Sequence, residues 1–255
     1  MLIKQFEKLY NDKANKEQAY QSFIESNPEL VPRAFVQNHG VHMDLVFRKF
    51  PLGTTYKSDF MFLSKSSSDW RAVHIEIEDP NKKIFTKGGA FTAEFNAAVQ
   101  QVQSWIGWFN HNANQQTFEN DIAAVKQPLN SNPTKHKFVL VYGRRSELDT
   151  QTKKDNFDAK KTDNFELMTY DSLFSGRHGK THIASFHSRT VKIHCSCELE
   201  DSYFGFVNPA DFEINSTMKT QKISKLSTPA TGTFASVINQ NSQENLAQWQ
   251  ATKSY

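Results

Sequence analysis

The segment AVHIEIEDPNKKIFTKGG, residues 72–89, sets His74, Glu76 and Glu78 in alternation with Val73, Ile75 and Ile77. On a β-strand alternate side chains share a face, so the two glutamates stand about 6.5–7 Å apart, opposite the apolar residues. The segment before it, KSDFMFL, carries one acid, Asp59, with Phe60 and Phe62 facing the other way. Ionised carboxylates brought to about 4 Å repel by about 4 kcal/mol at an effective dielectric near 20. Either the face is open to water, as on a solvated edge strand, or a cation sits there. Asp59, Glu76 and Glu78 supply the hard oxygen ligands that Mg²⁺ or Mn²⁺ takes together with waters and substrate phosphate.

Cations lie close by. The loop after Asp79 and Pro80 holds Lys82, Lys83 and Lys87 ahead of Gly88 and Gly89, where the chain bends. These lysines serve either as simple ion-pair partners or as phosphate contacts. Lys135, Lys137, Arg144 and Arg145 flank the next apolar run, and Lys153, Lys154, Lys160 and Lys161 follow it. Gln101 falls one helical turn before Trp105, where its amide either orients a phosphate or water or is plain helix surface. Glu17 shares a helical face with Tyr20 and Ile24, and is read as a first-turn acid favoured by the helix dipole over an acid reaching for the site.

The surrounding elements follow from periodicity. Leu2, Phe6, Leu9 and Tyr10 make a helical stripe over residues 2–11. Asn15 is the expected N-cap of a helix ending near Ser26, before Pro28. Strands are expected at 41–50, 54–64 and 71–78. Thr92 is expected to cap a helix to about Asn110, with Phe95, Val99, Val102, Ile106 and Phe109 as its apolar stripe and Trp105 at the border. HNANQQTFEND and KQPLNSNPTKH read as loops. KFVLVYG, 137–143, is continuous enough in apolar residues to be a strand buried on both faces. A helical segment at 149–161 and a strand with its exit in FELMTYDSLF complete an α/β core. Two parts are predicted: residues 1–176, the core, and residues 177–255, a β-rich extension. After Asn215 that extension turns polar, with a short helix near Glu244–Gln250.

Bulk properties narrow the classes. The 255 residues carry 21 Phe, enough aromatic surface for a true core, and a net charge of +3. Any anionic ligand therefore needs a local basic patch, since so small a global charge steers little. No apolar run approaches a membrane span and no signal-like run follows Met1, which predicts a cytoplasmic protein with no membrane partner. Cys195 and Cys197 stand two residues apart on a strand, about 6.5–7 Å from one another and too far for a bridge, so no mutual disulfide is expected. His194 beside them suggests a metal, but no second cysteine pair exists to complete a zinc shell.

The order Asp59, then Glu76-Ile77-Glu78, then a helix carrying Gln101 resembles the PD-(D/E)xK nuclease superfamily. QAYQSFIESNPELV, VHIEIEDPNKKIFTKGG, AAVQQVQSW, FVLVYGRRSEL and LMTYDSLF together resemble Shedu-type antiphage defence nucleases, across about residues 17–175. The resemblance implies a restriction-endonuclease-like core, a central mixed sheet flanked by helices. It implies metal-dependent hydrolysis of DNA, with Asp59 and Glu76 holding Mg²⁺ or Mn²⁺ and Glu78 as base or further ligand. Gln101, Lys83 and Lys87 would hold the backbone phosphate, and a homo-oligomer is in keeping with it. One departure stands out: Glu78 occupies the place of the usual lysine in Glu-x-Lys. That leaves two readings, an active variant with loop lysines supplying the charge, or a degenerate core that binds nucleic acid or a partner without cleaving.

Overall fold

The computed structural model describes residues 2–37, 44–127, 129–175, 181–187, 190–195 and 207–214. Its centre is one mixed sheet of eight strands in the order β5-β4-β3-β2-β1-β6-β7-β8. β1 (Leu45–Leu52), β2 (Tyr56–Lys65) and β3 (Trp70–Ile77) form an antiparallel meander. β4 (Thr134–Val141) then pairs parallel to β3, and β5 (Phe165–Met168) parallel to β4. A parallel neighbour requires a long crossover, supplied here by α3 (Ala93–Phe109) and α4 (Asn112–Ile122). A second crossover, containing α5 (Gln151–Asp158), leads to β5. On the other flank β6 (His182–His187) pairs parallel to β1, followed by β7 (Thr190–Cys195) and β8 (Phe212–Ile214). The α/β sheet with flanking helices is as expected, and these last strands extend the same sheet.

Alternation divides the core into two layers. Val73, Ile75 and Ile77 of β3 pack with Phe60 and Phe62 of β2 against α1 (Leu2–Asn11) and α2 (Glu17–Ser26), through Phe6, Tyr20 and Ile24. The opposite face packs Met61, Leu63 and Ala72 against Phe95, Val102 and Trp105 of α3 and Phe118 of α4. β4 sends Phe138 and Leu140 into one layer and Val139 and Val141 into the other, so its unbroken apolar run is the mark of a strand covered on both sides.

Three local expectations are corrected. HNANQQTFEND is not a loop: residues 112–122 are α4. Its apolar content is low, but Phe118 and Ile122, one turn apart, are both buried, and tertiary packing outweighs weak propensity. Asn114 Nδ2 and Gln115 Nε2 also donate to Trp108 O and Phe109 O, at 2.8 and 2.7 Å, tying α4 to the end of α3. Asn15 does not cap α2; its Nδ2 donates to Leu9 O at 2.8 Å, and Lys16 holds the cap position. The buried stripe of α3 runs through Phe95, Ala98, Val102, Trp105 and Phe109, so Trp105 is central. Thr92 does cap α3, accepting from Phe95 N at 3.1 Å.

The expected polar tail from 215, the helix near 244–250 and Cys197 lie outside the described residues. Among the described residues no helix is long and apolar enough to cross a membrane.

Candidate active site

Sheet register sets the acids beside one another. The β1–β2 ladder pairs Arg48 with Phe60 and Phe50 with Ser58, so Lys49 lies across from Asp59. The β2–β3 ladder ends on Phe60 and Ile75, and one further step sets Asp59 across from Glu76. Lys49, Asp59 and Glu76 thus form a row across three strands. Asp59 closes the β2–β3 ladder with its side chain: Oδ2 accepts from Ile77 N at 2.9 Å. The carboxylate is only 2% exposed.

Glu76 is 7% exposed, and Gln101 of α3 donates its Nε2 to Glu76 Oε1. The other oxygen, Oε2, is buried with no hydrogen-bond partner. A buried carboxylate oxygen left so is costly. Burial first, then repulsion from Asp59 and Glu78, holds the Glu76 pKa well above the usual carboxylate range. The solvated-face alternative is therefore wrong for β3: His74, Glu76 and Glu78 are all buried.

Glu78 follows the last residue of β3, and its backbone N–H continues the ladder to Val141 O at 3.0 Å. Tyr170 OH donates to Glu78 O at 2.6 Å, and Lys82 Nζ pairs with Glu78 Oε2. The turn that brings Lys82 back is an Asx turn, in which Asp79 Oδ1 accepts from Asn81 N at 2.8 Å. Gly143, at φ +61°, lets the loop approach: a Cβ there would lie 2.9 Å from Ile84 Cγ1. Asn81 Nδ2 also donates to Tyr20 OH of α2 at 2.9 Å. That link fixes the start of α2 near the strand end, and Glu17 feels the result. Burial, then the charges of Glu78 and Asp59, raise its pKa. Glu17, first residue of α2, thus lies within electrostatic reach of both acids, on the helical face it shares with Tyr20.

The lysines divide differently from expectation. Lys49 of β1 pairs with Asp59 Oδ1, a contact the sequence pattern did not suggest. Burial works against its charge, but the carboxylate of Asp59 outweighs it and the pKa is raised. Lys49 sits at φ +47°, a left-handed conformation that costs a side-chain-bearing residue about 1–2 kcal/mol. Lys83 pairs with Glu147 at 3.3 Å, and Lys87 stands exposed on the turn before Gly88. Of the expected basic strips, Lys135 pairs with Asp69, Arg144 with Glu7 and Asp171, Lys153 with Asp149, and Lys161 with Asp158 and Glu166. Half of those eight cations thus pair with acids.

Two other candidates have structural partners. His74 Nε2 lies 3.3 Å from His136 Nδ1, inside an aromatic cage of Phe109, Phe118 and Phe138. His194 Nε2 is 2.6 Å from Ser185 Oγ.

The donor set suits a hard divalent cation. It is all carboxylate oxygen, and Glu76 Oε2 is the orphan such an ion would satisfy. The cage is not closed as it stands: among the described residues no three acidic, histidine or cysteine side chains surround one point. Asp59 and Glu78 each face a lysine instead. An ion bound here has to take over from those ammonium groups.

No curated protein matches the chain. A family model described as Shedu protein SduA, C-terminal, matches residues 14–174, from the turn before α2 to the end of the helical turn after β5. That span holds Glu17, Lys49, Asp59, Glu76, Glu78 and Gln101 and is more than half of the 255 residues, so the chain belongs to the Shedu family.

Proposed function

We propose that this protein is a metal-dependent deoxyribonuclease with a restriction-endonuclease-like core of the PD-(D/E)xK type, acting on DNA in the cytoplasm. Family membership points to antiphage defence. The observation that carries the chemistry is Glu76, buried beside Asp59 with one oxygen unpartnered. A buried carboxyl whose pKa is raised by burial and by neighbouring charges is strained without a counter-charge, and such groups gather at functional sites.

In this reading Asp59 and Glu76 hold Mg²⁺ or Mn²⁺, which when bound supplies a Lewis acid and a water of lowered pKa. Asp59 is kept in place by the Ile77 N–H, and Glu76 by the Gln101 amide. Glu78 stands beyond the strand end to receive the proton of the attacking water. The water oxygen adds to phosphorus, the bond from phosphorus to the leaving sugar oxygen breaks, and that oxygen takes a proton from solvent. Glu17 adds negative charge that strengthens cation binding. Assembly into a homo-oligomer belongs to the same reading, and the mass in solution tests it.

A second reading rests on Glu78 and the lysines. With lysine replaced in Glu-x-Lys, and Lys49 and Lys82 neutralising the acids, the core would bind DNA or a partner without cleaving. One set of incubations separates the two: purified protein with supercoiled, linear duplex and single-stranded DNA, in Mg²⁺, Mn²⁺ or EDTA, beside Asp59→Ala and Glu76→Ala. The nuclease reading expects cation-dependent cleavage lost in both variants while the fold persists. Cleavage surviving both substitutions removes this site assignment, and none under any condition leaves the binding module.

A further inference from the structure

We infer that Lys49 is a catalytic residue of the reaction proposed above, its ammonium exchanging from Asp59 to a non-bridging oxygen of the scissile phosphate when a divalent cation takes the carboxylate. This rests on the nuclease reading and assigns the positive charge that Glu78 displaced from the strand.

Position comes first. Lys49 belongs to the cross-strand row with Asp59 and Glu76, so its ammonium starts at the acids that would hold the ion. Lys82 is engaged by Glu78 on the loop, Lys83 by Glu147, and Lys87 is exposed on its turn. Backbone conformation comes second. A lysine at φ +47° in the middle of a strand takes a shape that glycine or asparagine would adopt with less strain. Such strain persists where the surroundings demand it, and functional sites are where it collects.

Exposure comes third. The Lys49 side chain is 48% exposed, against 3% for Asp59. Asp59 needs no help from the lysine to keep its orientation, because Ile77 N–H holds Oδ2. The lysine is thus a removable counter-ion on a fixed, buried carboxylate. Once a cation neutralises Asp59, the ammonium is released from it, and the incoming phosphate offers it a new anionic partner. As negative charge grows on the phosphoryl oxygens in the transition state, a preplaced ammonium stabilises it.

The test compares full-length wild type, Lys49→Met, Lys49→Arg and, as a control, the exposed Lys57→Met, each checked for fold by thermal melting. Three quantities are read. Cleavage in Mg²⁺ or Mn²⁺ should fall by about 100-fold in Lys49→Met, much less in Lys49→Arg, and not at all in Lys57→Met. The Ca²⁺ concentration at half-maximal thermal stabilisation should be no higher in Lys49→Met than in wild type, because a competitor for Asp59 is gone. The slope of log affinity against log salt for a short DNA duplex should lose about 0.9 in Lys49→Met with Ca²⁺, and nothing in EDTA.

Lys49→Met cleaving within about threefold of wild type overturns the inference and leaves the nuclease reading intact. Loss of cleavage matched by an equally weakened Ca²⁺ response also overturns it, since the lysine then only shapes the cation site. Wild type that cleaves none of the DNAs removes the nuclease reading and the lysine's task with it.

Discussion

Gln101 donates to one oxygen of Glu76 and leaves the other buried and unpartnered. The amide of α3 therefore holds the strand acid without neutralising it. Burial and the nearby Asp59 and Glu78 charges already make ionised Glu76 unfavourable. Replacing Glu76 with Gln removes a charge and retains the shape. Glu76→Gln is expected to melt at or above the wild-type temperature while losing cleavage. A drop of more than about 3 °C in a metal-free melt would contradict this account of the acid cluster.

A divalent cation should stabilise the fold because it binds the folded site and not the unfolded chain. At about 100 times its dissociation constant it adds about 2.7 kcal/mol, roughly 5–10 °C for a chain of this size. Melts in Mg²⁺, Mn²⁺ or Ca²⁺ against EDTA measure it. The shift should vanish in Asp59→Ala and Glu76→Ala, and be absent from the wild type if the site binds no ion.

The buried histidine pair predicts acid sensitivity. Burial, then Lys126, lowers the His136 pKa to about 3, and burial, then His136, pushes His74 well below its ordinary value. Lys126 itself is buried and paired with Glu119. In the unfolded chain both histidines titrate near about 6.5. Between that value and the folded values the unfolded chain takes protons the native state refuses. Stability is thus full above about pH 6.5 and falls as pH drops, by up to about 1.4 kcal/mol per pH unit for each histidine. Melting at about pH 7 and about pH 5 should show a smaller difference in His136→Phe than in wild type.

Gly143 predicts a packing defect with a consequence at the site. Alanine there meets Ile84 Cγ1 at 2.9 Å and takes a left-handed backbone at φ +61°. Gly143→Ala is expected to cost about 1–3 kcal/mol in a denaturant melt. Because Ile84 lies on the loop that returns Lys82 to Glu78, that ion pair should loosen too. A variant as stable as wild type would mean that the loop has room to move.

Much of the architecture is legible in local pattern. The alternation in RAVHIEIE and the unbroken apolarity in KFVLVYG correspond to β3 and β4, adjacent interior strands of the sheet. Thr92 ahead of an apolar stripe marks α3. α4 escaped because its two apolar residues become a helical face only when the core on that side exists to bury them. The polar strips look like a phosphate track in sequence, yet their partners Asp69, Glu7, Asp171 and Glu166 are scattered along the chain, and only folding pairs them.

Sequence alone determined that Glu76 and Glu78 share a parity and that Asp59 stands apart from Phe60 and Phe62, since strand geometry repeats every two residues. Only the tertiary structure decided which residues face one another: Lys49 across from Asp59, Asp59 across from Glu76, Gln101 over Glu76, and Glu17 brought in by α2. The physical reason is that side-chain direction is a property of each residue's own backbone. Register, burial and charge coupling instead depend on segments distant in the chain, and those meet only when the sheet closes around its core.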